Sequence, residues 1–211
     1  MKELERRSYT FEIRAEQNED NGSIITGRPI VYSARTDIGP FDEIIEPGAL
    51  DATDLTDVRL LVNHDTKMIP LARSRRNNGN STMLLTVDAL GLLIERANLD
   101  TENNATARAL YSAVQRGDLS GMSMMFSVES DRWDGLDTEH PTRHILRIGS
   151  VVELSACTFP AYEQTEIYSR SKEALESART ALENARQQNV RTSPEGDAAV
   201  LELLKAKIDL L

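Results

Sequence analysis

"HILRIGSVVELSACTF", residues 144–159, is a long apolar run interrupted near its centre by one carboxylate, Glu153. Its β-branched composition fits a pleated, half-buried surface and reads as strand. Shorter runs of the same kind recur toward the N-terminus: "SYTFEIRAE" (8–16), "SIITGRPIVYS" (23–33), "VRLLVNH" (58–64), "STMLLTVDA" (81–89), "GLLIERANL" (91–99) and "GMSMMFSVE" (121–129). Gly, Asn and Asp punctuate the intervals. Regular strands separated by turn residues predict a mainly β, antiparallel or barrel-like domain.

Two segments inside this pattern read as helix. In "TENNATARALYSAVQRGD" (101–118), Ala105, Ala109 or Leu110, and Ala113 or Val114 recur at three-to-four spacing, Thr101 offers a cap and Gly117 a stop. "EPGALDATDLT" (46–56), opened by Pro47, predicts a shorter surface helix. The character changes near Arg170. "SKEALESARTALENARQQ" places Leu175, Ala178, Leu182 and Ala185 along a narrow helical seam, and "SPEGDAAVLELLKAKIDLL" restarts a helix with Ser193 as N-cap and Pro194 in the first turn. The expected organisation is a β domain over 1–169 and a helical interaction arm over 170–211. An apolar helix end normally continues or docks, so a chain end within "AKIDLL" leaves both a native and a self-trimmed terminus open.

Charge separates these parts as well. The 211 residues carry a formal charge of −10, and from Arg170 onward seven basic side chains balance seven acidic ones, so the surplus belongs to residues 1–169. Phosphate binding needs a positive surface, which argues against nucleic acid as the main partner. Arg73, Arg75 and Arg76 form one local basic patch, too small to reverse that balance. No stretch approaches the roughly 20 apolar residues of a membrane span, and none resembles a signal peptide, so a soluble, cytoplasmic chain without a membrane partner is expected. One cysteine, Cys157, and three histidines, His64, His140 and His144, give no zinc-like ligand spacing. Neither a metal nor another cofactor is expected.

The chemistry-bearing candidates are few. His64 closes the strand-like "LLVNHDT" (60–66), and strand alternation would turn its neighbour Asp65 the other way. His64 is then either an ordinary turn residue or a base. "LSGMSMMF" (119–126) offers Ser120 and Ser123, three residues apart and so on opposite faces of any one regular strand. Because "GDLSG" reads as turn and "MSMMF" as strand, Ser123 is the better-placed nucleophile and Ser120 the turn residue. The hydrolase elbow G-x-S-x-G is not matched, since Met125 stands at its second glycine. Glu153, if buried, needs a partner. It either pairs with an arginine such as Arg147, or accepts the ring N–H of a histidine and stabilises an imidazolium. Cys157 shares the strand parity of Glu153 and gives a weaker alternative nucleophile. His140, in "DGLDTEHPTR", reads as an exposed loop residue.

Taken in order, "RPIVYSARTDIGPFDEIIEPGAL", "LLVNHD", "SGMSMMF" and "ELSACTFPAYEQTEI" resemble the prohead proteases of tailed bacteriophages, over roughly residues 8–168. That family is similar to the herpesvirus assemblins, and the resemblance implies a closed or partly closed antiparallel β-barrel surrounded by helices. It implies His64 as general base, Ser123 as nucleophile and Glu153 as third member, where assemblins carry a second histidine. Assemblins follow this strand with an arginine pair linked to oxyanion stabilisation, whereas this chain has Pro160, Ala161 and Tyr162. The implied activity is serine endopeptidase action on the scaffold segment of the major capsid protein and on the chain itself, inside the procapsid in the host cytoplasm. The alternative is a nonenzymatic assembly or scaffolding protein that keeps the fold.

Overall fold

The computed structural model describes residues 4–9, 13–18, 22–158 and 172–192. In chain order its strands are β1 (Leu4–Tyr9), β2 (Ile13–Asn18), β3 (Gly22–Val31), β4 (Thr36–Asp37), β5 (Asp42–Ile45), β6 (Arg59–Val62), β7 (Ala72–Arg73), β8 (Met83–Asp88), β9 (Gly91–Leu99), β10 (Gly121–Asp134) and β11 (Thr142–Cys157). Helix α1 (Ala105–Gln115) separates β9 from β10, and α2 (Lys172–Thr192) follows the sheets.

The opening stretch forms most of β11, and six further strands assemble around it into a seven-stranded sheet. β10 runs antiparallel along one edge of β11 and carries β1 on its own far side. The other edge of β11 is shared, because β5 pairs with residues 142–145 and β6 with residues 153–156, both parallel. β4 and β7 extend those two outer strands. A separate four-stranded antiparallel sheet has the order β2-β3-β9-β8. Among the described residues neither sheet closes on itself, so the expected closed barrel is not found. The fold is mainly β with two helices, and the two parallel pairings on β11 depart from the antiparallel expectation.

Those parallel pairings depend on how residues 46–58 cross from β5 to β6. The predicted helix at Pro47 is absent: residues 47–52 form successive turns, with Ala49 N–H donating to Glu46 O, Asp51 N–H to Gly48 O and Thr53 N–H to Leu50 O. Gly48 has φ 86°, a left-handed conformation that interrupts helix propagation. The segment instead lies along β11, where Ile148 N–H reaches Ala49 O and Val151 N–H reaches Asp54 O. Ala49 and Leu50 are thereby buried.

Both sheets turn apolar faces into one core, which includes Ile25, Ile94, Met122, Phe126 and Leu154. Helix α1 closes it with Ala107, Leu110 and Val114. Its N-cap is Asn104, whose side chain accepts the N–H groups of Thr106 and Ala107, while Thr101 belongs to the preceding turn. Asn caps well because its short side chain reaches those orphan donors directly. In α2 the seam docks on the body: Ala178 and Leu182 are buried with Phe41, and Ile38, Trp133 and Leu136 surround them. Arg186 adds bonds to the carbonyls of Leu136 and Thr138. The second predicted helix, from Ser193, and Pro160–Tyr162 lie outside the described residues. No described helix is long and apolar enough to cross a membrane.

Candidate active site

Strand register brings the candidates together. In the β10–β11 ladder Ser123 lies opposite Ser155 and Met125 opposite Glu153, so Ser123, Ser155 and Glu153 share one face of the sheet. Met122, Met124, Leu154 and Ala156 alternate with them and enter the core. Just beyond Glu153 the register shifts, with Phe126 opposite Val151. That irregularity bends the long hairpin and lies outside the segment carrying the polar residues.

His64 arrives from the opposite edge of β11. β6 ends at Val62, opposite Ala156, and the chain then turns through Asn63 (φ 51°) and His64 (φ 57°), both left-handed. Such conformations cost on the order of 1–3 kcal/mol each for residues other than glycine and persist only where surrounding bonds enforce them. Asn63 N–H donates to Ala156 O, and its side chain pairs with Thr158 through Oδ1 to N–H (3.1 Å) and Nδ2 to Oγ1 (3.2 Å). His64 N–H donates to Ser155 Oγ at 3.0 Å. Asp65 accepts Lys67 N–H and so builds the turn; β6 ends at Val62, so strand alternation does not extend to it.

The turn lays the imidazole across the sheet face. His64 Nδ1 is 2.7 Å from Glu153 Oε2, and His64 Nε2 is 2.5 Å from Ser123 Oγ. Glu153 is only 2 % exposed and Ser123 1 %. With Glu153 ionised, the Nδ1 proton goes to the carboxylate and leaves Nε2 as acceptor for the serine hydroxyl. Ser155 Oγ–H donates to Glu153 Oε1, occupying the other carboxylate oxygen. Ser123 Oγ is also 2.6 Å from the carbonyl of Arg7 on β1. Its single proton therefore has two acceptors, and only rotation toward Nε2 prepares it for removal.

The competing residues fall elsewhere. Ser120 is exposed in the turn before β10. Arg147 faces Glu129 at 3.9 Å, and the partner of Glu153 is His64. His140 is exposed on its loop and contacts Asp42 at 3.2 Å. Cys157 does share the face of Glu153 and Ser123, but burial, reinforced by the negative charge of Glu153, pushes its thiol up to about 12. The nucleophilic thiolate is therefore suppressed at neutral pH. Arg73 is held by Asp57, which gives the basic patch a structural engagement. Among the described residues, Asp37, Asp42 and His140 form the group able to converge on a metal ion, on an exposed surface where Arg35 already engages Asp42.

Asn63 and Ser155 were not singled out from the sequence. The pairing of Asn with His in "NHD" is the only local signal, since Asn tolerates left-handed backbone. For Ser155 the available signal was parity with Glu153 on one strand.

A serine hydroxyl on the accepting nitrogen of an imidazole, with a carboxylate on the other nitrogen, has the connectivity of serine hydrolases. The family model for the caudovirus prohead serine protease matches residues 9–179, and the chain belongs to that family. It is 34 % identical over 142 residues to the prohead protease of Enterobacteria phage HK97, covering 65 % of this chain and 57 % of the relative. The chain thus spans somewhat more than half the length of that curated relative. No solved structure matches it significantly.

Proposed function

We propose that the protein is a serine endopeptidase of phage capsid maturation. It cleaves the scaffold segment of the major capsid protein, and itself, inside the procapsid. The observation that carries this reading is the unbroken line Glu153–His64–Ser123, with bonds of 2.7 and 2.5 Å. Membership in the prohead protease family supports a capsid-protein substrate and a setting within the assembling shell.

In this mechanism Ser123 Oγ attacks a peptide carbonyl while His64 Nε2 takes its proton. Glu153 holds the ring in the required tautomer and stabilises the imidazolium. His64 then protonates the leaving amine, and water, activated by the same imidazole, releases the acyl group. Activity accordingly falls as acid protonates His64, because a charged ring cannot accept the serine proton.

Co-expression with the major capsid protein, followed by mass spectrometry, tests the proposal. Wild type is expected to yield capsid and self fragments that Ser123→Ala does not. Identical fragments from both would remove Ser123 from the chemistry. Fragments from neither, in assembled shells, would favour the scaffolding alternative.

A further inference from the structure

We infer that Ser155 is a positioning residue that sets both the orientation of the His64 ring and how Glu153 divides its hydrogen bonding between that ring and a hydroxyl. The inference rests on the proposed peptidase function and extends it by one residue. Ser155 is fully buried and lies directly opposite Ser123 in the β10–β11 ladder. Its hydroxyl is used twice: the oxygen accepts the backbone N–H of His64 at 3.0 Å, and the proton goes to Glu153 Oε1. One oxygen atom therefore joins the backbone of the residue carrying the ring to the carboxylate that holds the ring.

Two physical consequences follow from that double engagement. Glu153 is buried, and among the described residues its hydrogen-bond partners are the His64 ring and the Ser155 hydroxyl, while Arg59, its neighbour across the β6–β11 ladder, is engaged with Asp57. A buried carboxylate needs hydrogen-bond donors, and Ser155 supplies the one on Oε1. His64 also sits in a left-handed conformation whose N–H points at Ser155 Oγ, so that acceptor stabilises the turn which projects the imidazole. Without the hydroxyl, the His64 N–H loses its acceptor and the buried Glu153 Oε1 loses its donor.

The change reaches catalysis through the ring. A carboxylate relieved of its Ser155 bond concentrates its charge on the imidazole and favours the imidazolium, so the acid limb of the rate profile moves to higher pH. Ring misplacement also slows proton transfer without altering how substrate docks. The two effects together separate positioning from a general loss of stability, which would change the amount of folded enzyme and leave the pH profile in place.

The test compares Ser155→Ala, Ser155→Thr and Ser127→Ala with wild type on a peptide spanning a cleavage site identified from the wild-type fragments. Ser127 is a buried serine on the neighbouring strand β10, bonded to Ser150, and serves as the control. The expected result is a fall in kcat of about 10- to 100-fold for Ser155→Ala with KM retained, and an acid limb displaced upward. Ser155→Thr, which keeps the hydroxyl, recovers most of the rate, and Ser127→Ala behaves as wild type. In the inactive Ser123→Ala background, the low-field NMR signal of the His64 Nδ1 proton shifts or broadens on adding Ser155→Ala. If Ser155→Ala does not fold, Ser155→Cys, with a thiol of similar volume and much weaker donor strength, takes its place. Wild-type kcat, pH profile and Nδ1 resonance in the folded hydroxyl-free variant would overturn the inference. Continued cleavage by Ser123→Ala would instead overturn the peptidase reading beneath it.

Discussion

Two buried polar clusters share the seven-stranded sheet, and they are built on opposite terms. In the first, Arg7 of β1 pairs with Glu5 and with Glu43 of β5, at 2.5 and 2.8 Å. Arg143 of β11 binds Glu5 at 2.6 Å and Asp131 at 2.6 Å. Each of these carboxylates meets a planar, permanently charged fork. In the second cluster Glu153 meets a titratable ring and a hydroxyl. In the first cluster every carboxylate is held by a permanently charged guanidinium, whereas the second leaves a carboxylate dependent on a ring that gains and loses a proton. Burial of charge alone does not distinguish structure from chemistry; the identity of the partner does.

The electrostatics follow the same division. Burial by itself would raise the Glu5 carboxyl, yet the hydrogen bond from Arg143 and the charges of Arg7 and Arg143 outweigh it and hold Glu5 below its ordinary value. Burial would lower Arg143, but Glu5, Glu43 and Asp131 together raise it well above its ordinary value. The clusters also touch through the backbone. The Arg7 side chain is locked into the ion network while its carbonyl lies 2.6 Å from Ser123 Oγ. The N-terminal strand therefore contributes an alternative acceptor to the hydroxyl proposed to react.

The sharpest contrast comes from neutralising one member of each cluster. Glu153→Gln is expected to leave the fold nearly intact and lower kcat by about 10⁴-fold, because an amide N–H facing Nδ1 reverses the tautomer His64 needs. Steady-state kinetics beside circular dichroism checks both halves, and a rate within tenfold of wild type would break the comparison. Arg143→Met should act the other way, costing about 3–5 kcal/mol by leaving buried carboxylates uncompensated. For a chain of this size that is a fall in Tm of roughly 6–20 °C, measurable by calorimetry.

The smallest expected effect is on acid stability. Glu5 is depressed in the folded state, so near its ordinary value of 4.5 the unfolded chain binds more protons than the folded one. Its contribution is complete above that value and disappears as pH falls through the lower folded one. Tm should decline as pH falls below about 5, with a shallower decline in Arg143→Met, in which one of the two guanidiniums depressing Glu5 is gone. Parallel pH dependences in the two proteins would assign the acid loss to other carboxylates.

The sequence carried these two clusters unequally. Alternation on β10 and β11 separated Ser123 from Ser120 and placed Glu153 and Cys157 on one face, because parity is local and survives without knowing the partner strands. His64 and Glu153 stood out as polar residues in apolar runs. The ion network did not: Arg7 and Glu5 sit in a charged N-terminal stretch that reads as surface, and only the pairing of β1 with β10 buries them. The parallel docking of β5 and β6 on β11 was likewise hidden, since Pro47 suggested a helix where Gly48 makes turns. Asn63 and Ser155 act through backbone bonds between segments roughly ninety residues apart, and no spacing rule reaches that far.

The central claim is that Ser123 is the nucleophile because His64 takes its proton. Labelling with a fluorophosphonate, followed by peptide mapping, measures this directly, since the reagent modifies a serine only where a base activates it. The account predicts one adduct, on Ser123, in wild type, and its loss in His64→Ala. An adduct on Ser120 or any other residue, or equal labelling of Ser123 without His64, would contradict it.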